Sequence, residues 1–342
     1  MALDTPFAAP PRAGAAVPLA HGVLWMRMPV PFRPGHVNIY ALPDEDGWTL
    51  VDTGPDLPAC REAWAELRAG PLAGRPLSRV IATHHHMDHI GLAGRLMADE
   101  GAGLWTSRTA WLMARMMVLD VQERPTPEQM AFWRRAGMPP DLLAQRAGER
   151  PFNAADVVHP LPLGYHRVVA GDRLQAGGRG WRVATGEGHA PEHLTLWSED
   201  GELVLGGDQL LGTISPNLGV YATEPDADPV GDWLQSCARL RALATDTQLV
   251  LPGHGLPYRG LPARLAALID EHEQALSRLA DALAEAPRTA VGCFELLYRR
   301  TLTPGEFGLG LVEAVGHVNR LRHEGRARAV AETPEGAILW GA

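Results

Sequence analysis

Residues 80–91 read VIATHHHMDHIG, an apolar run followed by four histidines and one aspartate within six positions. The apolar run predicts a strand. In extended backbone the side chains alternate, so we expect His84 and His86 to point to the same side and His85 to point elsewhere. Two imidazoles on one side can bind one metal ion. This stretch therefore predicts part of a metal site.

Asp88 and His89 lie where the same stretch turns toward a predicted helix. The change of backbone direction can aim both side chains at a position next to the first, so the cluster predicts two half-sites. Met87, like His85, is interpreted as a spacer. One turn of chain cannot enclose an ion, and the remaining ligands must come from distant residues.

Three later turns could supply those ligands, since each contains glycine beside a histidine or an aspartate. They hold His189 in GEGHAPEH, Asp208 in LVLGGDQLL and His254 in LVLPGHG, and the last two directly follow an apolar run. Imidazole nitrogens and carboxylate oxygens bind zinc, iron and manganese alike. The residues therefore predict a metal site and leave the identity of the metal open.

Strand and helix signals alternate along the chain up to about residue 260. Apolar residues at helical spacing in 58–69 lie between strand-like runs, and this order indicates an α/β layered fold. Residues 108–150 are helical, rich in Met and Trp, and interrupted by proline, so we interpret them as an insertion. Its apolar side chains could pack on the main fold or form a lid over an acyl or aromatic substrate.

Beyond residue 260 the pattern changes to long helical stretches followed by a predicted hairpin at 328–340. This is the order of a winged-helix module. The predicted division of the chain is a flexible N-terminal arm at 1–19, a catalytic domain at 20–260 and a winged-helix-like domain at 261–342.

Composition narrows the class of protein and of partner. The 342 residues are 46% hydrophobic and 21% charged, which is ordinary for a folded protein. The formal net charge of the whole chain is -9, and residues 261–342 hold nine arginines against eleven acidic residues. Neither the whole chain nor this segment therefore carries the positive charge typical of nucleic-acid binding. Three scattered cysteines, no apolar run of about 18 residues and no signal-peptide pattern favour a cytoplasmic protein without a membrane span.

The ordered series LVDTG, THHHMDH, GHAPEH, GGD and PGHG, between about residues 20 and 260, resembles the metallo-β-lactamase superfamily in its binuclear, glyoxalase II-like branch. The resemblance implies an αββα sandwich that holds two divalent metal ions at one edge, with zinc as the expected metal and iron or manganese as alternatives. The ligands it implies are His84, His86 and His189 for the first metal, Asp88, His89 and His254 for the second, and Asp208 as a bridge between both.

Four further residues in or near these motifs are candidates to contact the ligands or the substrate. By the same resemblance, Asp52 of LVDTG would be buried and would support the histidine loop. His36, Glu192 and His193 are candidates because they lie in or near motif segments.

Departures from particular subfamilies narrow the function. Zinc-dependent lactamases resemble this chain in the histidine loop but do not use a bridging aspartate in a GGD turn, which argues against antibiotic hydrolysis. Flavin-linked di-iron oxidoreductases place glutamate where His86 stands, and no flavin module follows in this chain. RNA-processing members carry a large nuclease insertion that is not found in this sequence.

The chemistry expected of such a site is hydrolysis. Two ions about 3.5 to 4 Å apart can bind a bridging water and lower its pKa, so that hydroxide is the nucleophile, and one ion can polarise a carbonyl. Asp88 or Asp208 could carry the proton to the leaving group. We therefore predict a binuclear metallohydrolase that cleaves a small thioester, ester or lactone.

Two other functions stay open at this point. One is a mononuclear iron oxygenase acting on a thiol persulfide, because such enzymes resemble this chain in the histidine loop, His189 and Asp208. The other is a nucleic-acid-acting hydrolase that uses the winged-helix tail. The expected partner is nevertheless a small molecule, with no nucleic acid and no membrane, and the tail could instead pack, form a homodimer or shape the substrate pocket.

Overall fold

The computed structural model describes residues 3–342, and the chain divides into two compact units. The first unit holds the residues up to Val121 together with Asn153–Pro216 and Leu240–Leu265. The second holds Gln122–Phe152, Asn217–Arg239 and Ala266–Ala342. Each unit is thus built from three separate segments, whereas the predicted domains follow the chain in single blocks, and their boundaries stay predictions.

The first unit contains a seven-stranded and a five-stranded sheet. The strands of the larger sheet, in spatial order, are β1 (Ala16–Pro18), β2 (Leu24–Pro29), β3 (His36–Asp44), β4 (Gly47–Val51), β5 (Leu77–Ile81), β6 (Gly103–Thr106) and β7 (His166–Arg167). The strands of the smaller sheet are β8 (Arg173–Ala176), β9 (Arg179–Gly186), β10 (His193–Ser198), β11 (Leu203–Gly207) and β12 (Leu249–Pro252), whose spatial order is β12-β11-β10-β9-β8.

Helices cover the outer face of the larger sheet. The helices of this unit are α1 (Pro58–Ala69), α2 (Met87–Ile90), α3 (Ala93–Glu100) and α4 (Arg108–Leu119). α1 buries Cys60, Ala63, Trp64 and Leu67, which repeat at helical spacing and form one apolar stripe. α3 is followed by Gly101, whose φ of 73° is the left-handed conformation that glycine adopts without steric cost.

Strand β3 shows how the core is divided between two layers. Its residues Ile39 and Ala41 pack with the helices in one apolar cluster, while Tyr40 and Leu42 pack in a second cluster with residues of the smaller sheet such as Trp181. Because side chains alternate along a strand, a strand between these two layers is apolar on both faces. The first unit is therefore a sandwich of two sheets with helices on the larger one.

The second unit contains helices and one hairpin. Its elements are α5 (Pro127–Ala136), α6 (Pro140–Gly148), most of α7 (Pro229–Arg241) and of α8 (Leu261–Glu285), α9 (Phe294–Tyr298), α10 (Phe307–His323), and the hairpin of β13 (Arg328–Glu332) and β14 (Ile338–Gly341). Single turns of 3-10 helix occur in the chain at Ala20–Gly22, Ala154–Asp156 and Val291–Cys293. None of the helices in the described part of the chain is both long and apolar enough to cross a membrane.

The structure confirms the predicted helix at 58–69, the predicted hairpin and the strands that precede the metal motifs. The N-terminal arm differs from the prediction. Ala16–Pro18 forms a strand of the larger sheet, and the Arg259 N–H donates to the carbonyl of Asp4 at 2.8 Å. Residues 1 and 2 of the predicted arm lie outside the described residues.

One edge of the sandwich collects the ends of the strands that carry the motifs. β4 and β5 are parallel, as are β11 and β12, so that their carboxyl ends lie at the same edge of each sheet. The amino ends of β3 and β10, which pair antiparallel with β4 and β11, come to this edge as well. The residues that follow β4, β5, β11 and β12 are therefore brought together although they lie far apart in sequence.

Candidate metal centre

The first group of possible ligands consists of His84, His86 and His189. Nε2 of His84 lies 3.0 Å from Nδ1 of His86, which lies 3.0 Å from Nε2 of His189. The reason for this convergence differs from the prediction. β5 ends at Ile81 and residues 83–85 form a bend, so a turn of the chain, and not strand alternation, places the two neighbouring imidazoles together.

The second group consists of Asp88, His89 and His254. Asp88 and His89 belong to the single helical turn α2, and His254 follows β12. Nε2 of His254 is 3.4 Å from Oδ2 of Asp88, and Nε2 of His89 is 3.7 Å from the same oxygen. Donor atoms of two neighbouring residues and of one residue distant in sequence thus face one position.

Asp208 lies between the two groups. Its Oδ2 is 3.4 Å from Nε2 of His189 and 3.3 Å from Nε2 of His254, while its Oδ1 is 3.4 Å from Nε2 of His89. The carboxylate therefore reaches histidines of both groups. All seven residues that the resemblance implied as ligands are assembled in this part of the structure.

Asp52 fixes the conformation of the histidine loop through hydrogen bonds. The residue has a φ of 61° and is buried directly after β4. Its carboxylate accepts hydrogen bonds from the backbone N–H and the hydroxyl of Thr83 at 2.8 and 2.9 Å and from Nδ1 of His89 at 2.8 Å. Because Nδ1 of His89 is held in this way, Nε2 is turned toward the ligand group.

Thr83 and His36 hold two further ligands in the same manner. The Thr83 hydroxyl donates to Asp52 and lies 3.0 Å from Nδ1 of His84. Nδ1 of His254 donates to the carbonyl of His36 at 2.6 Å, and Nε2 of His36 accepts from the Gly255 N–H at 2.9 Å. In both His84 and His254, Nδ1 has a protein partner, and Nε2 faces the cluster.

His193 contacts both Asp208 and His84. Its fully buried ring stacks on His84 with centroids 4.5 Å apart, and its Nε2 accepts from the backbone N–H of Asp208 at 3.1 Å. The turn around Gly207 allows this approach, since a Cβ there would lie 2.6 Å from the His193 ring. His193 therefore fixes the turn that carries Asp208.

Glu192 contacts Thr109, unlike its neighbour His193, which contacts the cluster. Its carboxylate accepts from the backbone N–H of Thr109 at 2.9 Å, in the first turn of α4, and the hydrogen bonds from Thr109 lower the pKa of Glu192. Glu192 thus ties the loop of His189 to the start of that helix. The spacer His85 is buried and packs against the His86 ring with centroids 4.5 Å apart.

Asn38 and Tyr40 are structural parts of the site that the sequence interpretation did not single out. The Asn38 amide donates to the carbonyls of Pro252 and Gly255, both at 2.9 Å, and the Tyr40 hydroxyl donates to the carbonyl of Pro252 at 2.8 Å. These bonds fasten the turn of His254 to β3. A buried asparagine inside an apolar strand was the available signal.

Burial and charge set the protonation of the ligand residues. Burial, followed by the neighbouring imidazoles, lowers the pKa of His84 and of His86 well below the usual value, which leaves a free lone pair for a metal. Burial alone would lower the pKa of His254, but the carboxylates of Asp208 and Asp88 outweigh this effect and raise the pKa to about 10. The carboxylates therefore attract positive charge to this position.

The buried atoms of the cluster fit a metal ion. Nε2 of His89 and Oδ1 of Asp208 are buried 3.4 Å apart, and neither has a hydrogen-bond partner among the described residues. Such atoms are costly unless a cation or water satisfies them. Three groups of residues each offer donor atoms that lie within 4.8 Å of one another inside the group. These groups are His84, His86 and His189; His84, His89 and Asp208; and Asp88, His89 and His254. The donor chemistry is that of a divalent-metal site.

Comparison with known proteins agrees with this geometry. Residues 32–254 match the profile of the Metallo-beta-lactamase superfamily. The chain belongs to this superfamily. The match includes the histidine loop and every ligand position up to His254, and the two-sheet sandwich is the fold of the superfamily.

Relatives extend the likeness over nearly the whole chain. The probable metallo-hydrolase YqjP of Bacillus subtilis (strain 168) is 29% identical over 307 residues, which is 88% of this chain and 92% of YqjP. A beta-lactamase domain protein from Burkholderia ambifaria is 34% identical with a TM-score of 0.88, and the match covers 99% of this chain and 97% of that one. A metallo-beta-lactamase family protein from Thermus thermophilus is 25% identical with a TM-score of 0.76, covering 94% and 98%. This chain is a superfamily member with the features of a metal-dependent hydrolase.

We expect Asp52→Asn to weaken metal binding by about ten- to hundredfold. One of the two accepting oxygens becomes an NH2 group, which would face a donor, either the Thr83 N–H or Nδ1 of His89. Competition with a chromophoric chelator measures the affinity. Asp56→Asn is the matched control, since Asp56 is a partly buried aspartate that pairs with the exposed Arg61 and is not part of the ligand cluster. Equal metal affinity in the Asp52 variant and the control would contradict the orienting role.

Proposed function

We propose that the protein is a binuclear metallohydrolase that cleaves a small thioester, ester or lactone. The observation that supports this most directly is the position of Asp208, whose carboxylate lies within 3.4 Å of histidines from both groups. A carboxylate in this position can hold two cations close together. Two cations at one edge of a sandwich suit the addition of water to a carbonyl.

In this proposal all seven residues of the cluster would be metal ligands. The first metal would be held by His84, His86 and His189, the second by Asp88, His89 and His254, and Asp208 would be shared. When bound, two divalent ions would lower the pKa of water toward neutrality and polarise the scissile carbonyl. Zinc fits the donor set, as do iron and manganese.

The carboxylates supply the proton transfer. Asp88 Oδ2 lies 3.4 Å from Nε2 of His254, and burial, which by itself raises the pKa of Asp88, is outweighed by His89 and His254, so this pKa is lowered. An ionised carboxylate beside the reacting water can accept its proton and pass it to the leaving group. We assign this role to Asp88, with Asp208 as the alternative.

The oxygenase alternative uses a smaller set of ligands. A single iron would need the histidine loop, His189 and Asp208, and would leave the second group without a task. The convergence of Asp88, His89 and His254 on one position favours the binuclear proposal.

The C-terminal segment is proposed to be winged-helix-like, because α8, α9 and α10 are followed by the antiparallel hairpin β13–β14. Its net charge is negative. We therefore propose that it serves packing, a homodimer or substrate selection, and not nucleic-acid binding. The cytoplasmic location is likewise proposed.

The test of the function is metal analysis combined with a substrate screen. The protein is purified without added metal, its metal content is measured by mass spectrometry, and thioesters, lactones and aryl esters are offered in turn. We expect two metal ions per chain and hydrolysis without oxygen consumption. One iron per chain with oxygen consumed in proportion to product would overturn the proposal in favour of the oxygenase.

A further inference from the structure

Arg27 carries a positive charge that no described protein group neutralises. It lies in β2 between Met26 and Met28, which are fully buried on the helix-covered face of the sheet. Because side chains alternate, Arg27 points to the other face, into the sandwich. Among residues 3–342, no side chain or carbonyl forms a hydrogen bond or ion pair with it, and its Nε is buried.

A half-buried guanidinium without a partner is unfavourable for the fold. Burial lowers the pKa of Arg27, which records the cost of keeping the charge there. Buried charges in folded proteins are normally paired or bound to a ligand. A charge that the fold itself does not use is therefore a candidate for ligand binding.

The neighbours of Arg27 on the same face are already engaged. Asn38, which is paired opposite Arg27, accepts from the Trp25 indole at 3.0 Å and donates to the carbonyls of Pro252 and Gly255. These groups hold the turn of His254 and do not neutralise a cation. They do place Arg27 beside that turn.

The link to the metal centre runs through His36. His36 lies two residues along β3 from Asn38, so it is the diagonal neighbour of Arg27, at about 7 to 8 Å between Cα atoms. The His36 ring packs against the ligand His254 with centroids 5.8 Å apart. The guanidinium thus lies one side chain away from a ligand of the candidate metal centre.

We propose that Arg27 binds an oxyanion of the substrate, such as a carboxylate or sulfate, that is separate from the bond to be cleaved. This inference rests on the proposed hydrolase function and specifies its substrate class as anionic. The planar guanidinium can donate two parallel hydrogen bonds to such a group. Binding the anion would orient the scissile carbonyl toward the ligand cluster.

The experiment compares a charged and a neutral ester of the same shape, 4-acetoxybenzoate and 4-acetoxybenzamide. We expect the wild type to have a higher kcat/KM for the benzoate. Arg27→Met should lower kcat/KM for the benzoate by about ten- to hundredfold and leave that for the benzamide unchanged. Arg27→Lys should recover part of the loss, since lysine keeps the positive charge but cannot donate two parallel hydrogen bonds as a guanidinium does. Arg61→Met, at an exposed arginine on α1, is the control.

Two further measurements separate a substrate role from a structural one. Metal content should be unchanged in Arg27→Met, and its thermal unfolding midpoint should be equal to or above that of the wild type, because an unpartnered charge is removed. A lower midpoint together with equal losses on both esters would overturn the proposal.

Calorimetric titration with 4-acetamidobenzoate, the amide analogue, tests Arg27 even where no ester is cleaved. We expect its Kd to rise by about ten- to hundredfold in Arg27→Met. Failure of the wild type to cleave either ester, with this shift in Kd intact, would count against ester hydrolysis and still support the anion site. An unchanged Kd would overturn the anion site whatever the activity.

Discussion

Replacing Asp208 by alanine is expected to remove bound metal and to lower kcat/KM by about a thousandfold or more. The carboxylate faces His189 and His254 through one oxygen and His89 through the other, at 3.3 to 3.4 Å. Its loss leaves both ligand groups incomplete at once. It also removes the negative charge that attracts cations to the cluster. Metal content by mass spectrometry and turnover of the best substrate from the screen check this result.

The matched control for this variant is Asp200→Ala. Asp200 lies in the turn between β10 and β11, and its partly exposed carboxylate pairs with Arg179. Truncation of such a surface ion pair changes stability little, so metal content and activity should stay near the wild-type level. An Asp208 variant that turns over substrate without metal would refute the metal mechanism.

The convergence of the candidate ligands could be predicted from the sequence because each of these residues stands in a local context that can be recognised. Asp208 and His254 directly follow apolar strands and lie in glycine-containing turns, and the structure places both where those strands end. The parallel pairing of β11 and β12 then brings the two turns to one edge. Local pattern and sheet topology together were sufficient here.

The histidine loop shows a correct grouping reached through a wrong local structure. Alternation along a strand predicted that His84 and His86 would share a side, but the strand ends at Ile81. The conformation of the turn depends on Asp52, whose carboxylate holds Thr83 from a neighbouring strand end. A local pattern carries no information about such a contact.

Residues whose role depends on distant contacts were missed for the same reason. Asn38 bonds to carbonyls more than 200 positions away, at Pro252 and Gly255, and its own surroundings are an ordinary apolar strand.

Helix α7 was missed for a different reason, although Pro229 stands at its start and the side chain of Asp228 accepts from the Gly231 N–H at 2.9 Å. In that case the local start signal was present and was overlooked.

Gly253→Ala is expected to lower kcat/KM by about a hundredfold and to weaken metal retention, because the added methyl group displaces the Asp208 carboxylate. A Cβ at this position would lie 2.2 Å from Oδ1 of Asp208 and 2.8 Å from Cε1 of His89, both closer than atoms can approach. The carboxylate must therefore move, and a shift of about 1 Å in a catalytic group can cost about a hundredfold in rate.

The design of this test separates the contact from backbone strain. Gly253 does not have a left-handed φ, so alanine is tolerated by the backbone itself. Gly164→Ala is the control, since nothing lies within 4 Å of a Cβ there and its φ is not positive either. Adding Gly253→Ala to Asp208→Ala should lower the thermal unfolding midpoint less than adding it to the wild type, because the clashing oxygen is already gone. Equal shifts in both backgrounds would show that the methyl group acts elsewhere than on Asp208.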